Sequence, residues 1–193
     1  EMDDFMINNG YFKMEMPENN HIDNMNWMDD TGFKSTLSKR SKKHINHDVL
    51  NYKDKFTSKI VVNSSKEDLR KYYDLYLNVK NNSLALNTYK LPFRLFQKIA
   101  ENPNWELMTL SLKPEFTEEV NGEPVAICIS HKGADKLTFM LIGMDYASNK
   151  EFYTYRQAMY KVLVRARELG YKQVELGYSA VTEKRKFGAT QTQ

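Results

Sequence analysis

The sequence is poor in the residues that build small cross-linked or metal-bound proteins. It has one cysteine, four histidines, five prolines and eight glycines in 193 residues. A lone thiol closes no internal disulfide. Cys128 also lies in the apolar run Val125 to Ile129, so it reads as a core side chain rather than a nucleophile. Such usage suits a reducing compartment, and a cytoplasmic location is expected. His44 and His47 lack an obvious third ligand, and His21 and His131 fall in apparent loops. No metal is expected. Neither a Walker-type nor a dinucleotide glycine pattern occurs, which argues against nucleotide hydrolysis and hydride transfer. No apolar run approaches the roughly 20 residues of a spanning helix, and no signal peptide opens the chain. A formal charge of +3 is too small to imply nucleic acid by itself.

What is present indicates a packed core. The composition is 41% hydrophobic and 27% charged, which favours folding over disorder. Residues 1–30, rich in Asn, Asp and Met, are expected to form a segment packed on the domain, with a strand over Tyr11 to Met16 and with Phe5, Ile7 and Trp27 docking on the core. Residues 31–193 are expected to form one domain. The missing initiator methionine and the ending at Gln193 suggest a piece of a longer chain.

A helix is expected from about Thr31, with Leu37, Ile45 and Val49 on its apolar stripe. Its Lys39, Arg40, Lys42 and Lys43 read first as a solvated face. Attraction for an anionic cofactor or substrate is the next reading, and nucleic-acid binding ranks below the solvated face. A strand over Phe56 to Val62 precedes a capping box at Ser64–Glu67 and a helix carrying Leu69, Tyr72, Tyr73, Tyr76 and Leu77. Pro92 suits the first turn of a short helix with Phe93, Phe96 and Ile99. Strands then follow over Trp105 to Leu112, Pro124 to Ser130 and Lys136 to Gly143, the last two as a hairpin.

The organising unit runs from Lys136 to Gly188. It reads as strand, polar turn Asp145 to Lys150, amphipathic helix from about Phe152 to Leu169, Gly170, strand Gln173 to Gly177, and a polar tail segment from Tyr178 to Gly188. A helical crossover of this kind joins parallel strands. The fold class is therefore α+β, or mixed α/β, with an antiparallel meander and one β-α-β crossover. The site is expected where the helix begins beside the strand ends. There Ala147, Ser148, Asn149, Lys150 and Glu151 would offer amides to an anion, with Lys150 and Arg156 adding charge. The ordinary alternative is a helix end capped by Ser148 or Asn149. Gly143 and Gly177 permit a bulge or a close ligand approach. Strand amides at Ile142, Gly143 and Met144 could hold an oxyanion. Glu175 is a candidate base or a solvated strand residue, and Tyr178 a candidate proton donor.

Ile142 to Tyr146, Arg167 to Tyr171, Val174 to Gly177 and Lys184 to Gly188 together resemble the GNAT superfamily, and more narrowly its Fem-like branch. The likeness extends back through Pro124 to Ala126, the helix Glu67–Lys80 and the basic helix near Ser38. It implies a splayed mixed sheet with helices on both faces, and transfer of an acyl group from a carrier to an amine. Acyl-CoA or acetyl-CoA is the implied co-substrate, with acyl carrier protein or aminoacyl-tRNA as other donors, tRNA ranking lower. An amine-bearing small molecule, a lipid or a cell-wall precursor is the implied acceptor, and fusion to another biosynthetic domain is implied too. Lys184 would bind donor or acceptor. Two departures stand out. Tyr146 to Lys150 lacks the glycines of the pyrophosphate loop. Ser179 and Glu183 replace a glycine and a tyrosine in the pattern that Gly177 and Lys184 match. The family's last strand is expected beyond Gly188, with too little sequence left to form it. A domain with a degenerate, non-catalytic site remains the other reading.

Overall fold

The computed structural model describes residues 2–12, 18–82, 89–117 and 122–192. In chain order the elements are α1 (Met2–Asn8), β1 (Asn19–Ile22), α2 (Asp30–Ser35), α3 (Lys39–Ile45), a π-helical turn (Asn46–Leu50), β2 (Phe56–Ile60), α4 (Lys66–Asn82), α5 (Phe93–Glu101), β3 (Trp105–Leu112), β4 (Pro124–Lys132), β5 (Lys136–Met144), α6 (Tyr146–Phe152), α7 (Thr154–Glu168), β6 (Gln173–Gly177), α8 (Val181–Lys186) and β7 (Thr190–Thr192). The strands form one sheet in the order β2-β3-β4-β5-β6-β1-β7. Only β5 and β6 run parallel; every other neighbouring pair is antiparallel. The short turn after β4 returns the chain as a hairpin, whereas β5 reaches β6 only through α6 and α7, as a parallel pair requires.

Alternation along the central strands separates two cores. Met108, Leu110, Ala126 and Cys128 face α7, whose Ala158, Met159, Val162, Leu163 and Ala166 complete that cluster. Leu107, Ile127 and Ile129 face the other way, onto Leu69, Tyr73 and Tyr76 of α4 and Phe96 and Ile99 of α5. Each fully buried side chain contributes roughly 1.5–3 kcal/mol. An exposed pair such as Lys98–Glu101 contributes at most about 1 kcal/mol. Burial, not surface charge, therefore holds the helices to both faces. One partly buried polar tie adds specificity: Arg165 on α7 donates two bonds, of 2.9 and 2.8 Å, to the Glu106 carboxylate on β3.

Several expectations need correction. The strand expected over Tyr11 to Met16 falls largely on residues 13–17, outside the described residues. Before it lies α1, with Phe5 and Ile7 exposed; Trp27 alone of the three is in the core. The helix from Thr31 is three pieces, although Leu37, Ile45 and Val49 are all buried. The capping box sits one residue later, with Ser65 Oγ accepting from the Asp68 amide at 3.0 Å. The polar tail after Gly177 contains α8. A strand does follow Gly188: β7 pairs with β1 despite having only three residues. Gly143 is needed for close approach, but by the backbone of α4 rather than by a ligand. A Cβ there would lie 2.4 Å from the Tyr76 nitrogen and 2.6 Å from the Leu75 carbonyl carbon.

Candidate active site

β5 and β6 are paired only at Lys136, Leu137 and Thr138 with Gln173, Val174 and Glu175. Beyond these residues each strand carries one extra residue against its antiparallel neighbour. Ile129 opposes Leu141 and Ser130 opposes Phe139, so Met140 is extra on β5. Asn20 opposes Gly177 and His21 opposes Glu175, so Leu176 is extra on β6. Bulges bend and twist a strand. Two of them, just past the last parallel pair, part the strands.

The parting opens a cleft of about 710 Å3. Its floor is apolar: Phe139, Met140, Leu141, Ile142 and Met144 from β5, and Leu176 from β6. Val79 and Asn82 at the end of α4 close one side, Tyr146, Asn149 and Lys150 on α6 another, and Ala180, Glu183 and Lys184 a third. The Asp145 amide donates to Val125 O at 2.8 Å. Successive amides of a strand point to opposite sides, so those of Gly143 and Leu141 also face β4. Those of Ile142 and Met144 then face the opening.

Lys184 is the buried charge of the cleft, 3% exposed. Its Nζ donates to Gly177 O at 3.0 Å, and the same carbonyl accepts from Asn20 Nδ2 at 2.8 Å. Gly177 has φ +75°, a conformation that glycine adopts without a Cβ penalty and that leads the chain from β6 toward α8. Burial pushes the Lys184 ammonium down to about 8, since a charge is costly away from water. Burial likewise pushes the Tyr155 and Tyr146 phenols up. Arg156 bridges two acids, with Nε to Glu183 at 2.6 Å and Nη1 to Asp48 at 2.6 Å, and Lys186 reaches Glu183 at 2.6 Å. Burial alone would raise the Glu183 carboxyl; the bonds from Arg156 and Lys186 outweigh it and hold it below its ordinary value. Asp48 is presented by the π-helical turn, two of whose carbonyls, Asp48 O and Val49 O, accept from the buried Gln157 amide. Tyr153 and Ala180 take positive φ, 57° and 54°. Both border the cleft, where strained backbone is commonly found.

The structure divides the residues that sequence reasoning had grouped. Lys184, Ile142, Met144, Asn149 and Lys150 line the cleft. Ala147, Ser148 and Glu151 line a separate hollow that includes Lys55, Asp145 and Phe152. Two amides of the expected anion cradle, those of Ser148 and Asn149, are already engaged. Asp145 caps the helix, its Oδ2 accepting from the Ser148 amide at 2.7 Å, and Asp145 O accepts from the Asn149 amide at 3.2 Å. The cap is thus Asp145 rather than Ser148 or Asn149, and the turn is itself a seven-residue helix. Gly143 is covered by α4, as described above. Glu175 does not line the cleft; its carboxylate is held by Lys136 and by Thr138 Oγ1 at 3.1 Å. Tyr178 is 42% exposed and outside the cleft. Sequence reasoning missed Tyr153, Tyr155, Glu183 and Asp48 as site residues. From sequence Arg156 is read only as added charge, and nothing local pairs it with Asp48, 108 residues away.

By sequence the chain matches no family model and no curated protein. Its fold does match solved structures. The crystal structure of FemX aligns with 95% of this chain and 61% of its own, at TM-score 0.68 and 12% identity. The C-terminal domain of a putative lysylphosphatidylglycerol synthetase from Agrobacterium fabrum aligns with 98% of this chain and 62% of its own, at TM-score 0.56 and 14% identity. L-PGS from Bacillus licheniformis aligns with 92% and 50%, at TM-score 0.58 and 14% identity. The chain therefore spans less than two thirds of each of these structures. It has the mixed α/β fold, with a splayed sheet, that these structures share. Among the described residues no helix is long and apolar enough to cross a membrane, and no cluster of potential ligands suits a metal.

Proposed function

We propose that this chain is an acyltransferase domain that moves an acyl group from a carrier to an amine in the cleft between β5 and β6. The observation that carries the reading is the cleft itself. It has an apolar floor, two strand amides facing the opening and one buried ammonium at its wall. An apolar trough suits the arm of an acyl thioester. The neutral acceptor amine attacks the carbonyl carbon, and a tetrahedral oxyanion forms. The amides of Ile142 and Met144, with the Lys184 ammonium, would stabilise that charge away from water. The carbon–sulfur bond then breaks. The carrier leaves as a thiol, taking a proton that the attacking nitrogen has lost. Tyr146 and Tyr155, phenols kept protonated by burial, are the cleft's candidates for passing that proton. Glu175 and Tyr178 lie outside the cleft and have no direct step in this scheme.

The donor is acyl-CoA, acetyl-CoA or acyl carrier protein in the first form of the proposal, and the acceptor is an amine-bearing small molecule, lipid or cell-wall precursor. An aminoacyl-tRNA-dependent transfer is the second reading. It is favoured by the cations of α3 that border a hollow beside the cleft; there a carbon–oxygen ester bond breaks and the ribose hydroxyl leaves. The test is incubation of the chain with each donor and a panel of amines, followed by mass spectrometry of the products. Amide formation that Lys184→Met lowers supports the proposal. Binding of donors without any transfer leaves a ligand-binding domain with a degenerate site.

A further inference from the structure

Past Tyr153 and Arg156 the cleft continues into a second hollow of about 560 Å3, and these two residues line both spaces. One wall of the second hollow carries Arg40, Lys43, His44 and His47, and the other carries Lys186. Arg40, Lys43 and His44 stand at i, i+3 and i+4 on one face of α3, and His47 follows on the π-helical turn. Lys39 and Lys42 belong to the same helix but do not line the hollow. A smaller space of about 240 Å3 shares Arg40, His44 and Lys186, and adds Ser41, Thr182 and Arg185 along the seam of α3 and α8.

The charges of this hollow do not cancel. Asp48 and Glu183 are matched by Arg156 and Lys186, which hold them at 2.6 Å. Arg40 and Lys43 have no ion-pair partner among the described residues. Two unmatched cations remain beside Ser41 and Thr182, whose hydroxyls can donate hydrogen bonds, while the Nδ1 atoms of His44 and His47 lie 3.8 and 2.6 Å from the Asp48 carboxylate. Such a set suits a phosphate ester, whose oxygens accept charge-assisted bonds from arginine and lysine and from neighbouring hydroxyls at once. The other place to hold a phosphate near the cleft, the start of α6, is occupied by the Asp145 carboxylate.

We infer that the hollow between α3 and α8 is the phosphate subsite of the donor, which enters with its acyl group in the apolar cleft and its phosphate among Arg40, Lys43 and Lys186. This rests on the acyl-transfer reading of the cleft. Thioester carriers and aminoacyl esters of RNA all bear a phosphate ester on the arm that carries the acyl group, so the chemistry is common to each donor.

The test is calorimetric titration of the intact chain with inorganic pyrophosphate, CoA, and an RNA trinucleotide ending in CCA. It uses the wild type, Arg40→Glu/Lys43→Glu and Lys39→Glu/Lys42→Glu. Pyrophosphate should bind the wild type and weaken by about tenfold or more in the first variant, as expected for charge-assisted bonds lost and reversed. The second variant, with the same change of charge on the same helix, should lose less than about threefold through long-range effects alone. A stronger effect on CoA than on the trinucleotide names a thioester carrier, and the reverse names RNA. No binding of pyrophosphate, or equal losses in both variants, overturns the subsite. If pyrophosphate behaves as expected but no donor supports transfer, the acyltransferase reading falls and the phosphate site stands.

Discussion

The two halves of the β5–β6 pair are flanked by the same strands, β4 and β1, and have opposite fates. From Lys136 to Thr138 the strands are laddered, and the pairing is fastened by Lys136 and Thr138 on the Glu175 carboxylate. From Phe139 onward they part, and the space between them is lined by Met140, Ile142, Met144 and Leu176. The lesson is that one extra residue in each strand is enough to turn a sheet into a site. Met140 and Leu176 are those residues, and each is invisible unless the register of the strand next door is known.

The largest expected effect comes from attacking the support of the open half. Gly143→Ala places a Cβ against the backbone of α4, where nothing flexible can yield. Overpacking of this kind costs about 1–3 kcal/mol or more. Urea unfolding should show the loss with the slope unchanged. A variant as stable as the wild type would mean that α4 does not press on β5 as described.

Lys184→Met addresses the charge at the wall of the same half. Loss of one oxyanion donor typically lowers kcat by about 10²-fold, and a transfer assay should show a fall of that order. The pH dependence follows from its depressed value. With the folded group at about 8 and the unfolded group near its ordinary 10.4, the unfolded chain binds more protons between these limits. Stability therefore rises with pH across that window. Thermal or urea unfolding from pH 8 to 10 should show this rise in the wild type and its absence in Lys184→Met. The transfer rate should fall as pH rises through about 8, since the ammonium is lost. A flat rate profile there would remove Lys184 from the chemistry.

A change in the closed half should do less. Glu175→Gln removes a partly exposed ion pair with Lys136, worth at most about 1 kcal/mol. Transfer should persist within about threefold, because a group that does not touch the reacting atoms supplies none of the 10²–10⁴-fold expected of a general base. A hundredfold loss with folding intact would return Glu175 to the site as the acceptor's base. Smallest of all is Tyr178→Phe. That ring is exposed, and surface changes of this kind stay within about 0.5 kcal/mol. Neither unfolding nor transfer should register it.

Much of the fold was legible in advance because its signals are local. The hairpin of β4 and β5, the crossover to β6, and the buried stripe of Leu37, Ile45 and Val49 follow from alternation and helical spacing within short windows. The candidate site was legible only in part. Lys184, Ile142 and Met144 came from motifs close together in the chain, and they do border the cleft. Glu175 and Tyr178 came from the same stretch and do not, since which side of a strand or turn a residue presents depends on what packs there. The expected anion cradle at Ala147 to Glu151 is closed at one amide for a similar reason: Asp145, read as the first residue of the polar turn, reaches forward to the Ser148 amide.

By itself the sequence determined the kinds and order of the central elements, β2 to β6 with α4, α5 and α7, because periodicity and capping act over a few residues. It also determined that a single thiol closes no internal disulfide. Only the tertiary structure decided where the strands part, that Gly143 serves a helix rather than a ligand, and that Arg156 meets Asp48 from 108 residues away. Those outcomes depend on strand register and on side chains converging from distant segments. A pairing register shifts by whole residues only when the neighbouring strand is in place, and no local pattern encodes the identity of a partner brought up by the fold.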